Sequence, residues 1–501
     1  MNILSMLDKI EVTSSYIPDG VKNRKILSLC HDSRKASPTS LFFCKVGALT
    51  DGHFFAPAAY KNGARLFIAE RPLDLPEDAA VIITPNSQKA LSVLSVFFYG
   101  DPSKSLKMIG ITGTKGKTSV ALSIYSIASE NGVRIGYIGT NGIYYNGKRL
   151  ETVNTTPDVL ELQAALRRML DDGITTVVLE VSSQALMQER VFGIDFDTCV
   201  FTNLYVDHIG KYEHPTFDDY KACKRKLFTD YKVKNIVINA DSEHSSYMIE
   251  GVIDSNIIST SAKGNSGSRY FAYDSKMDKN GILPGVSYKC HTESGDVSVF
   301  MNTPGLHSVE NGLCVIAVCS ILGIELENIV DGMSRLLIPG RFETVTLGSR
   351  PNSLFIIDYA HNGASLSAVL TSLRQYQPER IICLFGSVGG RTFGRRAELG
   401  KVVREGADVI IVTSDNPDNE EPYEIINEIN KELEGCEKPV YLIEDRELAI
   451  KKAVEIAKAG DYVLLAGKGH ETYQLVGGKR IPFSEKQILA EADKLELLSA
   501  R

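Results

Sequence analysis

Short apolar runs of strand length alternate with segments of helical periodicity along most of the chain. In its middle part, strand-like and helix-like segments follow one another as residues 107–112, 117–131, 134–139, 157–172, 175–181 and 198–202. Strands that alternate with helices in this way are typical of a parallel sheet covered on both faces. The pattern therefore predicts an α/β fold.

A second alternating series follows the Pro-Gly-Arg break at residues 339–341. Its strands are predicted at residues 354–359, 381–385, 409–413, 440–443 and 462–466, with helices at 364–376, 396–405, 423–434 and 447–459. This series is long enough to form a domain of its own. Between the two series, residues 241–303 are rich in Ser, Gly and Asp and predict loops or a small antiparallel insert, followed by a helix at residues 309–322.

The first hundred residues form shorter elements, with strands predicted at residues 41–46 and 65–69 and a helix around residues 91–99. The polar segment 101–105 separates them from the first alternating series. A chain of 501 residues is long enough for about three domains. We therefore expect domains at residues 1–103, 104–337 and 338–501.

Composition narrows the possible classes of protein. The chain is 43% hydrophobic, and its 55 basic against 62 acidic residues give a net charge of −7. This excludes global disorder and the broad cationic field of a general nucleic-acid binder. The nine cysteines are never spaced as Cys-x-x-Cys, which indicates reduced thiols and no zinc site. We find no secretory or membrane-spanning pattern and expect a monomeric cytoplasmic protein.

The sequence Gly113-Thr114-Lys115-Gly116-Lys117-Thr118 lies between a predicted strand and a predicted helix. Glycines let backbone N–H groups point at phosphate oxygens, the lysine neutralises phosphate charge and the threonine hydroxyl suits Mg²⁺. The general phosphate-loop pattern would place its first glycine at position 111, where this chain has Ile111. The strand and helix on either side favour a phosphate loop over a chance Gly-rich turn.

Three further residues carry groups that bind metals or phosphates, although each also has an ordinary structural interpretation. Glu180 ends a predicted strand at the edge where open parallel sheets bind ligands, yet a carboxylate there equally suits a helix cap. His208 also follows a strand, but an isolated histidine is more often structural. Lys224 lies in a cationic helical segment, for which the spacing alone favours a solvent-facing side chain.

Taken together, these motifs resemble the Mur ligases of peptidoglycan synthesis, and among them the UDP-N-acetylmuramoyl-tripeptide synthetases. The resemblance extends over nearly the whole chain. It rests on Asp32-Ser33-Arg34, residues 112–118, Asn154-Thr155-Thr156-Pro157, residues 180–183, Thr202-Asn203-Leu204, Asp207-His208, Lys224 with Leu227-Phe228, Pro339-Gly340-Arg341, residues 358–361, Asp415-Asn416-Pro417 and residues 467–471. The shortened phosphate loop is the form that this family uses.

The resemblance implies a mixed α/β N-terminal domain for the UDP end, a central P-loop ATPase with a parallel sheet, and a Rossmann-like C-terminal domain that closes over the reactants. It also implies ATP-dependent amide formation through an acyl phosphate, with UDP-MurNAc-L-Ala-D-Glu and a diamino acid as substrates. Neither nucleic acid nor membrane is implied as a partner.

The resemblance also implies roles for individual residues. Lys117, Glu180, His208 and Lys224 match catalytic positions, and Thr118, Glu180, His208 and Lys224 match magnesium positions for two ions. Lys224 matches a lysine that is carbamylated in the family, which reverses the solvent-facing interpretation. The ATP positions are Gly113, Thr114, Lys115, Gly116, Lys117, Thr118, Ser119, Asn311, Arg341, Asp358 and His361.

Substrate positions are implied in the same way. Ser33 matches a residue at the uridine end, and the muramoyl dipeptide positions are Asn154, Thr155, Thr156, Ser182, Gln188 and Arg190. The amino-acid positions are Arg391, Asp415, Asn416, Asp418, Gly467 and Glu471. Short polar motifs such as Asn154-Thr155-Thr156 and Ser182-Ser183 are also ordinary helix caps.

The identity of residue 418 bears on the amino acid that is added. Family members that use meso-diaminopimelate typically have Asp-Asn-Pro-Arg, whereas this chain has Asp418 in place of the arginine. A carboxylate there would repel a distal carboxylate and attract a distal ammonium, which favours L-lysine over meso-diaminopimelate, with L-ornithine as a further alternative. The same residues are also a plain turn sequence.

Two other functions compete with this one. A different Mur-type ligase, such as a folylpolyglutamate synthetase or the enzyme that adds D-Ala-D-Ala, is disfavoured by Asp32-Ser33-Arg34 and Asp415-Asn416-Pro417. A non-catalytic ATP-binding regulator of cell-wall synthesis has little use for the metal positions Glu180, His208 and Lys224.

Overall fold

The computed structural model describes residues 1–47, 50–206, 209–210, 213–280, 282–390 and 393–499. They form two compact units, Met1–Ser261 with Ala317–Ile324, and Ala262–Ile316 with Glu325–Arg501. Both units contain sheets rich in parallel strands with helices packed against them. The predicted α/β class is confirmed.

The first unit begins with a sheet in the order β1–β5–β4–β3–β2, in which β2 to β5 are parallel and β1 is antiparallel. The helix predicted at residues 91–99 begins earlier, because the Asn86 side chain caps it by accepting from the Lys89 N–H at 2.8 Å. The elements are α1 (Leu4–Leu7), β1 (Ser14–Tyr16), α2 (Asp19–Lys22), β2 (Ser28–Cys30), β3 (Ser40–Phe43), α3 (Ala56–Lys61), β4 (Leu66–Ala69), β5 (Ala80–Ile83) and α4 (Ser87–Tyr99).

A second sheet of this unit has the order β13–β12–β11–β6–β10–β7–β8–β9. Its strands are parallel from β13 to β7, and β8 and β9 continue as an antiparallel edge. The elements are β6 (Lys107–Thr112), α5 (Lys117–Glu130), β7 (Ile135–Gly139), β8 (Gly142–Tyr145), β9 (Lys148–Leu150), α6 (Val159–Asp171), β10 (Thr176–Glu180), α7 (Ser183–Met187), β11 (Phe196–Phe201), α8 (Phe217–Thr229), β12 (Val233–Asn239), α9 (Ser245–Ile249) and β13 (Asn256–Ser261).

The strand order brings three chain segments together at one edge of this sheet. Strand β6 lies between β10 and β11, and their carboxyl ends are in register, with Glu180 beside Ile111 and Phe201 beside Thr112. The loops that follow these strands therefore meet at the same edge, where open parallel sheets bind ligands.

The second unit contains an antiparallel ribbon of β14, β15 and β16 and a sheet in the order β17–β18–β22–β19–β20–β21. In that sheet β17 is antiparallel and the remaining strands are parallel. The elements are β14 (Tyr270–Asn280), β15 (Leu283–Thr292), β16 (Gly295–Met301), α10 (His307–Ile321, whose last residues belong to the first unit), α11 (Leu326–Arg335), β17 (Glu343–Leu347), β18 (Arg350–Asp358), α12 (Gly363–Arg374), β19 (Ile381–Phe385), α13 (Phe393–Gly406), β20 (Val409–Val412), α14 (Pro422–Asn430), β21 (Val440–Leu442), α15 (Arg446–Ile456), β22 (Tyr462–Ala466), β23 (Tyr473–Val476), β24 (Lys479–Pro482) and α16 (Glu485–Ser499).

Predictions and structure differ most in the segment 241–303. The antiparallel insert is confirmed by β14 to β16, but α9 and the parallel strand β13 also lie in this segment. The strand pattern of β13 is hidden because polar residues also occupy buried positions, at Thr260 and Ser261. Within the described residues, no helix is long and apolar enough to cross a membrane.

A buried ion pair between Arg446 and Glu485 lies at the carboxyl ends of β20 and β22 in the second unit. The side chains of Arg446 and Glu485 are 0% and 2% exposed, and the guanidinium lies 2.8 Å from the carboxylate. Arg446 also donates to the carbonyls of Ser414 and Ala466, which follow β20 and end β22. Burial raises the pKa of Glu485, whereas Arg446 opposes that rise.

We expect Arg446→Ala to lower the free energy of unfolding by about 3–5 kcal/mol, because it leaves Glu485 buried without its cation. Removing both charges in Arg446→Met/Glu485→Leu should restore most of that stability. Urea unfolding of the full chain measures both effects. Lys452→Ala, which breaks the more exposed pair with Glu455, serves as the control and should cost less than about 1 kcal/mol.

Candidate active site

The loop between β6 and α5 has the backbone geometry of an anion site. Helix α5 begins at Lys117 directly after Gly116, which adopts a positive φ of 87° and offers no capping side chain. The start of a helix without a capping side chain is a favourable place for an anion, because its first N–H groups lack intrahelical acceptors. The Lys117 ammonium folds back across the loop and donates to the carbonyls of Gly113 at 2.8 Å and Thr114 at 3.2 Å.

The segment after β11 fixes the shape of this loop. Asn203 accepts from the Thr114 N–H through its carbonyl and from the Lys115 N–H through its side chain, both at 2.9 Å. Thr202 donates its hydroxyl to the Lys115 carbonyl at 2.7 Å. A β-carbon at Gly113 would collide with that hydroxyl, so only glycine fits there.

Glu180 is fully buried beside the loop, and its two oxygens are shared among donors on three segments. Oε1 accepts from the Tyr137 hydroxyl at 2.6 Å and the Thr140 N–H at 3.0 Å. Oε2 accepts from the hydroxyls of Thr118 at 2.9 Å and Thr140 at 3.2 Å. Burial and the neighbouring carboxylate raise the pKa of Tyr137 well above its usual value, so the phenol stays a donor.

The helix-cap interpretation of Glu180 is wrong. Helix α7 is capped by Ser182, whose hydroxyl accepts from the Ala185 N–H at 3.2 Å. The ordinary capping role thus belongs to Ser182, while the Glu180 side chain points to Thr118.

Lys224 is also buried, which makes the solvent-facing interpretation of its helix position wrong. Its side chain is 1% exposed on α8 and lies 4.6 Å from the centre of the Tyr220 ring. The amine donates to the Gly113 carbonyl at 3.0 Å, the same oxygen that Lys117 reaches. Two lysines distant in sequence thus meet at one atom of the loop.

The donor set at this loop fits a magnesium–phosphate site. Thr118 Oγ1 and Glu180 Oε2 are hard oxygen ligands 2.9 Å apart, next to an uncapped helix start and two lysines. His208 and Arg391 lie outside the described residues. Within the described part of the chain there is no group of three His, Cys, Asp or Glu side chains that could hold a metal. Of the predicted magnesium ligands that the structure describes, Glu180 alone is one of these four residue types. The other two are a threonine, Thr118, and a lysine, Lys224.

The predicted dipeptide residues are joined by hydrogen bonds on the side of β10 next to Glu180. Thr156 donates to the Glu180 carbonyl at 2.7 Å and accepts from the Ser182 N–H at 3.0 Å. Arg190 donates to the Thr156 carbonyl at 2.8 Å and to Gln188 Oε1 at 2.9 Å. The cluster is thus organised around the Thr156 backbone and hydroxyl.

The other predicted residues of this unit have looser surroundings. Thr155 lies 3.1 Å from the Thr140 hydroxyl, and Asn154 is exposed. Ser33 is half-buried in a short 3₁₀ turn capped by Asp32, and Ser119 lies in the first turn of α5. The helix-cap reading of residues 154–157 is wrong, since Asp158 caps α6.

In the second unit, the predicted nucleotide residues cluster at the end of β18. The Arg341 guanidinium lies 4.8 Å from the Tyr359 ring centre, and His361 Nδ1–H donates to the Tyr359 carbonyl at 2.8 Å. Burial raises the pKa of Asp358, which accepts from the N–H groups of Phe342 and Ala360, and burial lowers the pKa of His361. Asn311 is half-buried on α10.

The predicted amino-acid residues gather around a lysine that the sequence reasoning missed. Lys468 is fully buried and donates to Asn416 Oδ1 at 2.9 Å and Glu471 Oε2 at 3.0 Å, with Asp415 Oδ1 at 3.6 Å. Asn416 donates to Glu471 at 2.9 Å. A β-carbon at Gly467 would come within 2.7 Å of Asp415 Oδ2. The sequence feature that could have indicated this lysine is its position between two glycines in a loop that follows a strand.

Asp418 anchors the hairpin of β23 and β24. Its N–H donates to the Leu475 carbonyl at 2.9 Å, and its carboxylate accepts from the Gly478 N–H at 3.1 Å. Its φ of 55° is a left-handed conformation, which aspartate tolerates better than most residues.

Comparisons with known proteins match this architecture. Residues 25–97 match the Mur ligase family catalytic domain, residues 111–319 the Mur ligase middle domain, and residues 340–469 the Mur ligase glutamate ligase domain. Among solved structures, a UDP-N-acetylmuramoyl-L-alanyl-D-glutamate–2,6-diaminopimelate ligase has a TM-score of 0.68 at 28% identity and covers 99% of both chains. The MurF ligase of Thermotoga maritima in complex with ADP shares the fold, with a TM-score of 0.60 at 17% identity.

Curated relatives extend the similarity to the sequence over nearly the whole chain. The UDP-N-acetylmuramoyl-L-alanyl-D-glutamate–2,6-diaminopimelate ligase of Caldanaerobacter subterraneus subsp. tengcongensis is 38% identical over 95% of this chain and 97% of the relative. The enzyme of the same name from Clostridium botulinum is 36% identical over 99% of this chain and 100% of the relative. With this identity, this coverage and three matching domains, the chain belongs to the Mur ligase family.

Proposed function

We propose that this ligase uses ATP and Mg²⁺ to join a diamino acid to UDP-MurNAc-L-Ala-D-Glu through an acyl phosphate. The observation that carries the proposal is the meeting of Lys117, Lys224 and the Thr118–Glu180 pair at one phosphate loop. The full-length similarity to relatives named for this reaction supports the choice of substrate.

The reaction must convert a carboxylate into an acyl donor. The terminal carboxylate of the nucleotide-linked dipeptide attacks the γ-phosphorus of ATP, the bond to the bridging oxygen breaks, and ADP leaves. The amine of the incoming amino acid then attacks the acyl carbon, the bond to phosphate breaks, and amide, phosphate and a proton are released. Negative charge develops on phosphoryl oxygens first and on the acyl oxygen second.

The residues at the loop supply what the first step requires. Lys117 exchanges the Gly113 and Thr114 carbonyls for phosphate oxygens, and the N–H groups at the start of α5 bind the remaining oxygens. Thr118 and Glu180 would hold a magnesium ion, together with His208. When bound, that ion neutralises charge on the phosphate oxygens.

Lys224 is proposed to act as a carbamate. The ammonium first loses one proton, and the free amine then attacks CO₂ and loses a second proton. The buried cation is thereby replaced by a carbamate anion, whose two oxygens would serve as ligands for a second Mg²⁺. The buried position on α8 beside Gly113 supports this role, because it places the modified side chain next to the phosphate loop.

The remaining predicted residues are proposed as substrate contacts. Ser33 would contact the uridine end, and Asn154, Thr155, Thr156, Ser182, Gln188 and Arg190 the dipeptide. In the second unit, Asn311, Arg341, Asp358 and His361 would bind the nucleotide, and Arg391, Asp415, Asn416, Gly467 and Glu471 the amino acid. These contacts correspond to three proposed domains: residues 1–103 for the uridine end, residues 104–337 for ATP, and residues 338–501 for the amino acid.

Two amino acids compete for the second step. The names of the relatives support meso-diaminopimelate. The carboxylate of Asp418 supports L-lysine, because a distal ammonium is attracted where a distal carboxylate is repelled. Both amino acids carry a distal ammonium, and meso-diaminopimelate also carries a distal carboxylate. The charge at position 418 therefore distinguishes the two amino acids only by its repulsion of that carboxylate.

Phosphate release from ATP tests the proposal directly. With UDP-MurNAc-L-Ala-D-Glu and Mg²⁺, release should require an added amino acid, compared among meso-diaminopimelate, L-lysine and L-ornithine in separate reactions. Dependence on both substrates supports the ligase. Absence of release with all three would favour an ATP-binding regulator.

Exchanging the charge at position 418 tests the choice of amino acid. We expect Asp418→Arg to raise the ratio of kcat/KM for meso-diaminopimelate over L-lysine by about 10-fold or more, the effect of roughly 1.4 kcal/mol. Asp418→Asn is the matched control, since it tolerates the left-handed backbone and removes only the charge, and should shift the ratio less. An unchanged ratio in both variants would rule out a role for this charge.

Replacing the buried lysine tests the carbamate. Lys224→Ala should lower kcat by about 100-fold or more, because a charged group at the reaction centre is lost, and formate should restore part of the activity. Lys226→Ala, on the exposed side of the same helix, should keep full activity. Full activity of Lys224→Ala without formate would contradict the proposed role.

A further inference from the structure

The phenol of Tyr137 is a buried polar group that contacts Glu180 beside the phosphate loop. Tyr137 is fully buried on β7, and its hydroxyl lies 2.6 Å from Glu180 Oε1. It packs against the rings of Tyr144 and Tyr125, with centres 5.2 Å and 6.3 Å away. Such packing holds the hydroxyl in one place.

The direction of the Tyr137 proton is fixed by a second contact. The backbone N–H of Asn141 donates to the phenol oxygen at 3.3 Å. A phenol has one proton, and the short contact to Glu180 is where it is donated. Tyr137 therefore acts as a dedicated donor to this carboxylate.

Because of this donor, the two oxygens of the Glu180 carboxylate have different hydrogen-bond partners. Oε1 is filled by Tyr137 and by the N–H of Thr140, whereas Oε2 accepts from the hydroxyls of Thr118 and Thr140. A β-carbon at residue 139 would collide with both Oε1 and the Tyr137 hydroxyl, so Gly139 makes room for the contact. The carboxylate is thereby held in one rotation about its final bond.

We propose that Tyr137 is a positioning residue that aims Glu180 Oε2 at the magnesium position next to Thr118. The inference rests on the proposed magnesium–nucleotide site but goes beyond it, since it assigns a role to Tyr137, whose hydroxyl contacts Glu180. Partners that orient a metal ligand commonly change metal affinity by 10- to 100-fold when they are removed.

The test uses Tyr137→Phe, which keeps the ring and removes only the hydroxyl. ADP binding is measured by calorimetry without metal and over a series of Mg²⁺ concentrations, so the readout does not depend on turnover. We expect the apparent affinity for Mg²⁺ in the ADP complex to fall by about 10-fold, with metal-free ADP binding unchanged. Tyr144→Phe is the matched control, because its hydroxyl donates to the Asn141 carbonyl and not to Glu180.

A double-mutant cycle shows whether Tyr137 acts through Glu180. Adding Tyr137→Phe to Glu180→Gln should have little further effect on Mg²⁺ binding, because the carboxylate to be positioned is gone. Tyr137→Phe alone leaves the buried Glu180 carboxylate without one of its donors, which can destabilise the protein. The double variant has no such carboxylate, so the comparison remains valid if the single variant is unstable.

The outcomes separate this inference from the proposed function. If the unmodified chain shows no Mg²⁺-dependent ADP binding, the proposed site itself fails. If it does, the inference is overturned by an unchanged Mg²⁺ dependence in Tyr137→Phe, by an equal loss of metal-free ADP binding, or by the same loss in the Glu180→Gln background.

Discussion

A carboxylate without access to water must receive hydrogen bonds on both oxygens, and Glu180 imposes this requirement on the centre of the first unit. Donors arrive from Tyr137 on β7, from Thr140 after it and from Thr118 on α5. These segments lie around β10, so Glu180 can receive all of these hydrogen bonds only with the observed order of strands. The acid thereby fastens the start of α5, which follows the phosphate loop, to β7 and β10.

Local patterns were sufficient to predict part of this arrangement. The loop from Gly113 to Thr118 is contiguous in sequence, and its glycines, lysine and threonine carry their chemistry with them. The long apolar strands of the sheets were equally readable, because both of their faces are buried and they lack polar interruptions. Helix starts were less accurate where a single side chain, such as Asn86, sets the boundary.

Contacts between distant segments could not be predicted in this way. The spacing around Lys224 looks like a solvated helix face, and only the packing of α8 against the loop reveals that the side chain is buried. Tyr137 reads as one more apolar residue of a strand until β7 is placed beside β10. Lys468 bridges Asn416 and Glu471, which are 55 positions apart along the chain.

The attachment of the β23–β24 hairpin to Asp418 depends mainly on backbone groups. The N–H and carbonyl of residue 418 hold the hairpin through Leu475 and Gly477, and any amino acid except proline supplies those groups. Among the described residues, the side chain adds one hydrogen bond, to the Gly478 N–H. Replacement of this aspartate is therefore limited by the left-handed backbone more than by the hairpin contacts, so that asparagine or glycine can stand here while the hairpin stays attached.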